Sequence, residues 1–316
     1  MTENKHHTGF AALVGRPNVG KSTLMNGMIG EKISIMSDRP QTTRNRIMGI
    51  FSADHAQIMF LDTPGIHKPL HKLGEYMNQA AIGALNQVDV VLFMVDANEK
   101  KGAGEKFIIE HLKRVKTPVL LVINKIDKLD DKSKLLSIVN SYKDDLDFAA
   151  VIPVSALQQD GFKELQEEIV CHLPEGPSLF PEDELTDQPM RVIAAEMIRE
   201  KVLLNTYDEV PHAIAVEVNE FKERPNGTVF IRATIFVERE SQKGIVIGAK
   251  GSLLKKIGQE ARQDIENLTG CGVFLDLWVK VQADWRNKSK MLKEFGYKEA
   301  TSFNKESLPT TSASHW

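Results

Sequence analysis

Apolar and polar positions alternate along the chain in two rhythms, and the rhythm changes near residue 174. In the first half, short apolar runs rich in β-branched and aromatic residues stop at polar or glycine-rich turns. They predict strands at Phe10–Val14, Arg46–Phe51, Gln57–Leu61, Val88–Val95, Pro118–Ile123 and Ala150–Val154. Amphipathic stretches with helical spacing separate most of them, so a mainly parallel α/β sheet is expected. Ligands of such sheets gather at the carboxyl ends of the strands.

The segment 174–189, PEGPSLFPEDELTDQP, has four prolines, five acidic residues and no Lys or Arg. It predicts a linker. Beyond it the pattern predicts a helix at Arg191–Tyr207 and strands at His212–Glu220 and Thr228–Glu238, with a turn at Pro225-Asn226-Gly227. An apolar turn, Ile245-Val246-Ile247, precedes a helix at Ser252–Leu268 whose Leu253, Ile257, Ala261, Ile265 and Leu268 share one face. A strand at Val273–Val281 follows. The expected division is a flexible N-terminus (1–9), an α/β domain (10–173), the linker (174–189), a smaller α+β domain (190–297) and a disordered polar tail (298–316).

Composition adds exclusions. The 316 residues carry a net charge of −3, too low for nucleic-acid binding by the whole surface, though not for a local basic patch. Cys171 and Cys271 are the only cysteines and lie in no CxxC pair, so a disulfide framework is not expected and a reducing cytoplasm is. The start lacks a signal-peptide run, and no stretch is apolar enough to span a bilayer.

The chemistry sits in the turns after the strands. Gly15-Arg16-Pro17-Asn18-Val19-Gly20-Lys21-Ser22 fits GxxxxGK[ST], with Thr23 opening a helix, so backbone N–H groups and a helix N-terminus can cradle phosphates. Lys21 is expected at the β- and γ-phosphates and Ser22 on Mg²⁺. In Asp62-Thr63-Pro64-Gly65, Asp62 can hold Mg²⁺ through water and the Gly65 N–H can meet the γ-phosphate. Asn124-Lys125-Ile126-Asp127 selects the base: the Asp127 carboxylate accepts from guanine N1–H and the N2 amino group, a donor pair adenine lacks. Ser155-Ala156-Leu157 offers a backbone N–H to guanine O6. In Gln41-Thr42-Thr43-Arg44, a threonine can complete the Mg²⁺ shell, Thr43 first and Thr42 second. The expected catalytic set is Lys21, Thr43, Asp62 and Gly65. Ile66 stands where Ras-like GTPases carry a water-positioning glutamine, which predicts slow turnover. His67 and His71 lack a third ligand and are assigned no role.

In the second unit Gly248-Ala249-Lys250-Gly251 opens a helix. Such a loop admits a nucleic-acid backbone, with Lys243, Lys250, Lys255, Lys256 and Arg286 drawing in phosphates. Trp278 and Trp285 are expected to pack in the core or at an edge, Trp285 with less weight because basic residues flank it.

Taken together, GRPNVGKS, QTTR, DTPGIHKP, NKID and SAL, followed by PEDELTDQP, YDEVPHA, VERESQKGIVIGAKG and WVKVQADWRN, resemble the Era family of GTPases over about residues 10–297. The resemblance implies a Ras-like domain joined to a type II KH domain, and Mg²⁺-dependent binding of GTP and GDP by a monomer. It further implies a GTP-switched role in small-subunit maturation, with binding to the 3′ end of 16S ribosomal RNA and the 30S subunit. It extends to a peripheral place at the cytoplasmic face of the membrane, though no lipid anchor is visible. Asn18 matches a phosphate-loop asparagine of GTPases that use K⁺, so K⁺ dependence is expected on the same ground.

Overall fold

The computed structural model describes residues 5–39, 41–131 and 133–297. The expected disordered tail from residue 298 lies outside the described residues.

The first domain runs β1 (His7–Gly15), α1 (Lys21–Ile29), β2 (Ile47–Ala53), β3 (Ala56–Asp62), α2 (Lys72–Ala84), β4 (Val90–Asp96), α3 (Ala103–Leu112), β5 (Val119–Asn124), α4 (Lys134–Tyr142), β6 (Ala150–Pro153) and α5 (Phe162–Cys171). The six-stranded sheet has the order β2-β3-β1-β4-β5-β6. Only β2 runs antiparallel, hairpinned to β3. Its central strands are continuous apolar runs because helices cover both faces. Alternate residues therefore enter opposite cores: Val14, Phe93 and Ile123 on one side, Leu13, Leu92 and Val122 on the other.

β1 begins within the segment expected to be flexible. His7 pairs with Ala56, and its Nδ1 lies 3.0 Å from the Leu173 carbonyl. The segment 174–189 is a strap and not a loose tether. Gln57 receives the backbone N–H groups of Leu179 and Phe180, and Ile50 N donates to Leu185 O at 2.8 Å. The Leu185 contact uses the open edge of β2, the Gln57 contacts reach β3, and Phe180 is buried.

The second domain runs α6 (Met190–Asn205), α7 (Val210–Ala213), β7 (Ala215–Glu223), β8 (Val229–Val237), α8 (Glu240–Ile247), α9 (Ser252–Thr269), β9 (Val273–Val281) and α10 (Ser289–Glu294). β8 is central, antiparallel to β7 and parallel to β9. Three sequence expectations fail here. The strand placed at His212 starts at Ala215, because Pro211 sits in the first turn of α7 and favours helical φ there. Ile245–Ile247 is the last turn of α8, whose Gln242 side chain folds back to accept the N–H groups of Glu238 and Arg239. α6 and α9 lay their apolar stripes on one face of the sheet, around Ile198, Val202, Ile231, Ile257 and Ile265. Trp285 is fully buried and donates to Ala213 O at 2.8 Å, whereas Trp278, expected to pack, is 57% exposed. The alternation of β9 puts Trp278 on the face that no helix covers.

Candidate active site and nucleic-acid interface

The turn from β1 into α1 is built from residues that tolerate unusual backbone. Asn18 has φ 65° and Gly20 φ 100°. A Cβ on Gly20 would fall 2.2 Å from Asn124 Nδ2, and one on Gly15 would fall 2.5 Å from Met94 O. Lys21 is buried and donates to the carbonyls of Gly15 and Arg16 at 3.3 and 3.0 Å. Burial lowers its pKa to about 8, against a smaller opposing pull from Asp62. An ammonium so placed lacks a strong anionic partner, and phosphate supplies one.

Asp62, at the end of β3, gathers hydroxyls. Its Oδ2 accepts from Ser22 at 2.6 Å, Ser34 at 2.7 Å and Thr43 at 3.3 Å, and Ser22 Oγ lies 3.0 Å from Thr43 Oγ1. Its Oδ1 is buried with no hydrogen-bond partner. Burial pushes the Asp62 carboxyl above its ordinary range, opposed by Lys21 and the three hydroxyls. A hard divalent cation suits this donor set of hydroxyl and carboxylate oxygens with one unsatisfied acceptor, so the residues fit Mg²⁺. Thr43 joins the cluster. Thr42 does not, because its hydroxyl donates to the carbonyls of Arg39 (2.6 Å) and Ser37 (3.2 Å).

Across the site Asn124 acts as a bracket. Its Nδ2 donates to Val19 O at 2.8 Å and its Oδ1 accepts from Ala156 N at 2.9 Å. The phosphate loop and the turn after β6 are thereby fixed against one strand end. Lys125, at φ 64°, pairs with Asp96 at 2.7 Å and donates to Asn18 O at 2.8 Å. Asp127 Oδ1 accepts from Ser155 Oγ at 2.6 Å, which aims the carboxylate. The resulting pocket of about 360 Å³ is lined by the phosphate loop, residues 35–38 and 41–43, Gly65, Asn124, Lys125, Asp127, Ala156 and Leu157. Leu204 of α6 lines it too, so the second domain contributes a wall.

Of the expected nucleotide residues, Arg16 turns away to Glu99 and Glu105, at 2.8 and 2.9 Å. Thr63 Oγ1 is spent on Leu13 O at 2.7 Å. Pro64 and Gly65 are buried, and a Cβ on Gly65 would meet Pro17 N at 2.6 Å. Ile66 is buried in the core. His67 Nδ1 lies 2.9 Å from Gly65 O, and His71 accepts Gly74 N as the cap of α2. No cluster of three or more His, Cys, Asp or Glu residues suited to a metal occurs among the described residues. Gln41 went unnoticed in the sequence. Its amide nitrogen lies 3.3 Å from His67 Nε2, its Oε1 is buried without a partner, and it lines the pocket.

In the second domain, Gly248, Lys250 and Gly251 all have positive φ, at 72°, 51° and 79°. Nothing lies within 4 Å of a Cβ built on Gly251, so a ligand backbone can approach. Beside this loop a groove of about 430 Å³ runs between α9 and β9, lined by Gly251, Leu254, Lys255, Gly258, Arg262 and Phe274 among others. Lys255 lines this groove, and Lys250 sits in the glycine loop beside it. Lys256 lies 3.7 Å from Glu260 of its own helix, and Lys243 sits on α8. Arg286 is not in the groove: Glu238 holds it at 2.6 Å, in the turn that contacts α2. Arg262 was missed because it reaches the groove only through the α9–β9 packing.

Comparison with known proteins agrees with this anatomy. The family described as 50S ribosome-binding GTPase matches residues 10–125, and the KH domain family matches residues 209–286. GTPase Era of Ruminiclostridium cellulolyticum is 55% identical over 293 residues, covering 93% of this chain and 98% of that protein. GTPase Era of Alkaliphilus metalliredigens is 54% identical, covering 92% and 99%. An Aquifex aeolicus Era variant bound to GDP and AlF₄⁻ superposes with a TM-score of 0.89 at 43% identity, over 92% of this chain and 99% of that one. An Era in complex with MgGDPNP and nucleotides 1506–1542 of 16S ribosomal RNA superposes with a TM-score of 0.90 at 43% identity and the same coverage.

Proposed function

The chain belongs to the Era family of GTPases, and from that premise we propose that it is a GTP-switched factor in small-subunit maturation that binds the 3′ region of 16S ribosomal RNA. One observation supports this most strongly. A guanine-and-phosphate pocket and an open GxxG groove occur on one chain, and the second domain supplies part of the pocket wall through Leu204.

In this reading Asp127 takes the guanine N1–H and N2 amino protons, and a backbone N–H of the turn Ser155-Ala156-Leu157, which Asn124 fixes through Ala156, serves O6. The phosphates lie in the loop 15–22, with Lys21 across the β–γ bridge and the Gly65 N–H at the γ end. Ser22, Thr43 and Asp62 would hold Mg²⁺, which would supply charge neutralisation to the phosphates. Water attacks the γ-phosphorus, the bond to the β–γ bridging oxygen breaks, and the water proton passes to phosphate.

Ile66 has no atom able to orient that water, so we assign the task to Gln41. A buried amide oxygen without a donor is costly, and a turn of the Gln41 side chain toward the pocket it lines would let the attacking water satisfy it. K⁺ dependence belongs to the proposal as well. Asn18 Nδ2 donates to Asp38 O at 2.7 Å and links the phosphate loop to the segment before Thr42. Single-turnover hydrolysis unchanged when Na⁺ replaces K⁺ removes that element.

The groove takes single-stranded RNA, its backbone passing Gly251 while Lys250, Lys255 and Arg262 meet phosphates. No described helix is long and apolar enough to cross a membrane. A cytoplasmic location with peripheral contact to the inner membrane face is part of the same reading. The test is Gly251→Asp, since Asp tolerates positive φ but places a negative charge in the path of the backbone. RNA affinity is expected to fall about tenfold or more with GTP affinity unchanged, and equal RNA affinity overturns the groove assignment.

A further inference from the structure

The structure assigns Arg199, on α6 of the second domain, a positioning role in GTP hydrolysis: it holds the Thr42 carbonyl and thereby sets Thr43 on the metal cluster. The assignment rests on the reading of Thr43 as a magnesium ligand that senses the γ-phosphate.

Arg199 is 1% exposed. Its Nε donates to Glu196 Oε1 at 3.0 Å, and its Nη2 donates both to Glu196 Oε2 and to the carbonyl oxygen of Thr42. The two-pronged grip of Glu196 fixes the plane of the guanidinium, so the direction of the bond to Thr42 is fixed with it. Arg199 Nη1 is buried with no partner, so the side chain accepts an unsatisfied donor in order to keep this orientation. The Thr42 carbonyl belongs to the peptide whose nitrogen is that of Thr43. Holding that carbonyl therefore restricts how Thr43 Oγ1 approaches Ser22 Oγ, at 3.0 Å, and Asp62 Oδ2, at 3.3 Å.

The other side of Thr43 is anchored as well. Arg44 is 1% exposed and donates to Ile214 O at 2.5 Å and to the carbonyls of Pro211 and His212 at 3.4 Å. Upstream, Glu200, the neighbour of Arg199, accepts Met36 N at 2.7 Å and pairs with Lys32 at 2.5 Å. Residues 32–44 are thus sewn to α6 and α7 at both ends, with Thr43 between the two arginine anchors. A segment of the first domain is set in its metal-binding shape by side chains of the second.

A purely structural staple makes a different prediction, so the two are separable. GDP has no γ-phosphate, and its binding does not draw on Thr43; a loosened Thr43 therefore penalises the GTP state alone. In the full chain, the double variant Glu196→Gln with Arg199→Met removes both charges of this pair together, so neither partner is left as a lone buried ion. Single-turnover hydrolysis is measured over a range of Mg²⁺ concentrations, beside GDP affinity and thermal melting. We expect the Mg²⁺ concentration for half-maximal rate to rise about tenfold, from loss of one charge-assisted hydrogen bond. GDP affinity stays within about twofold of the parent. Arg199→Lys, which keeps the charge but not the fork, is expected to fall between the two. It also carries the test should the double variant fail to fold. Unchanged Mg²⁺ dependence, or parallel loss of GDP affinity, overturns the role of Arg199. An unmodified chain whose hydrolysis is insensitive to Mg²⁺ instead overturns the reading of Thr43.

Discussion

The amide nitrogen of Gln41 donates to His67 Nε2, and the direction of that bond follows from its neighbour. His67 Nδ1 faces the Gly65 carbonyl at 2.9 Å, and a carbonyl only accepts. Nδ1 therefore carries the ring proton, Nε2 offers a lone pair, and Gln41 must turn its NH₂ to the ring. Its Oε1 is left as a buried acceptor in the nucleotide pocket. Replacing Gln41 with Ala is expected to slow single-turnover GTP hydrolysis about tenfold or more, with affinity for a non-hydrolysable GTP analogue within about twofold. An unchanged rate assigns the water to another group.

Base selection rests on Asp127, whose carboxylate Ser155 aims. In Asp127→Asn one acceptor becomes a donor. The amide then mismatches the guanine N2 amino group but matches the C2 carbonyl of xanthine. GTP affinity is expected to drop roughly a hundredfold, with xanthosine triphosphate gaining. Competition against a labelled nucleotide reads both, and GTP affinity retained in the variant contradicts the assignment.

Lys21 gives nucleotide binding a pH limit. Burial holds its folded pKa at about 8, below the ordinary 10.5, and bound phosphates favour the charged form. Affinity for GTP is therefore full below about pH 8 and falls as pH rises above it, by up to about tenfold per unit, because the ammonium must be protonated on binding. For the nucleotide-free protein the sign reverses. Between about 8 and 10.5 the unfolded chain holds the extra proton, so this group's contribution to stability rises with pH. Titration of nucleotide affinity across that window checks the sign, and a flat profile contradicts it.

The nucleotide site was legible because its chemistry uses contiguous residues at strand ends: 15–22, 62–65, 124–127 and 155–157. What joins the domains was not. In QTTR the threonines drew the reading, yet Arg44 beside them is the residue buried against Trp285, 5.7 Å from the ring centre. Nothing local distinguishes a buried arginine from a solvated one, since its partners are carbonyls about 170 positions away. Arg199 reads on its own as a polar position of an amphipathic helix. Segment 174–189 has a linker's composition, but its apolar Leu179 and Phe180 pack against the first domain's core and are held by Gln57 of β3. Trp278 looked like packing until β9 showed which face its parity selects.

The central claim, that the nucleotide governs the RNA site, is tested most directly by binding of one single-stranded RNA carrying the 3′ end of 16S ribosomal RNA. Its affinity for the full chain is measured in excess Mg²⁺ with a non-hydrolysable GTP analogue and then with GDP. Tighter binding is expected with the analogue, by about five- to a hundred-and-fifty-fold for a coupling of ordinary size. Equal affinity in the two states contradicts it.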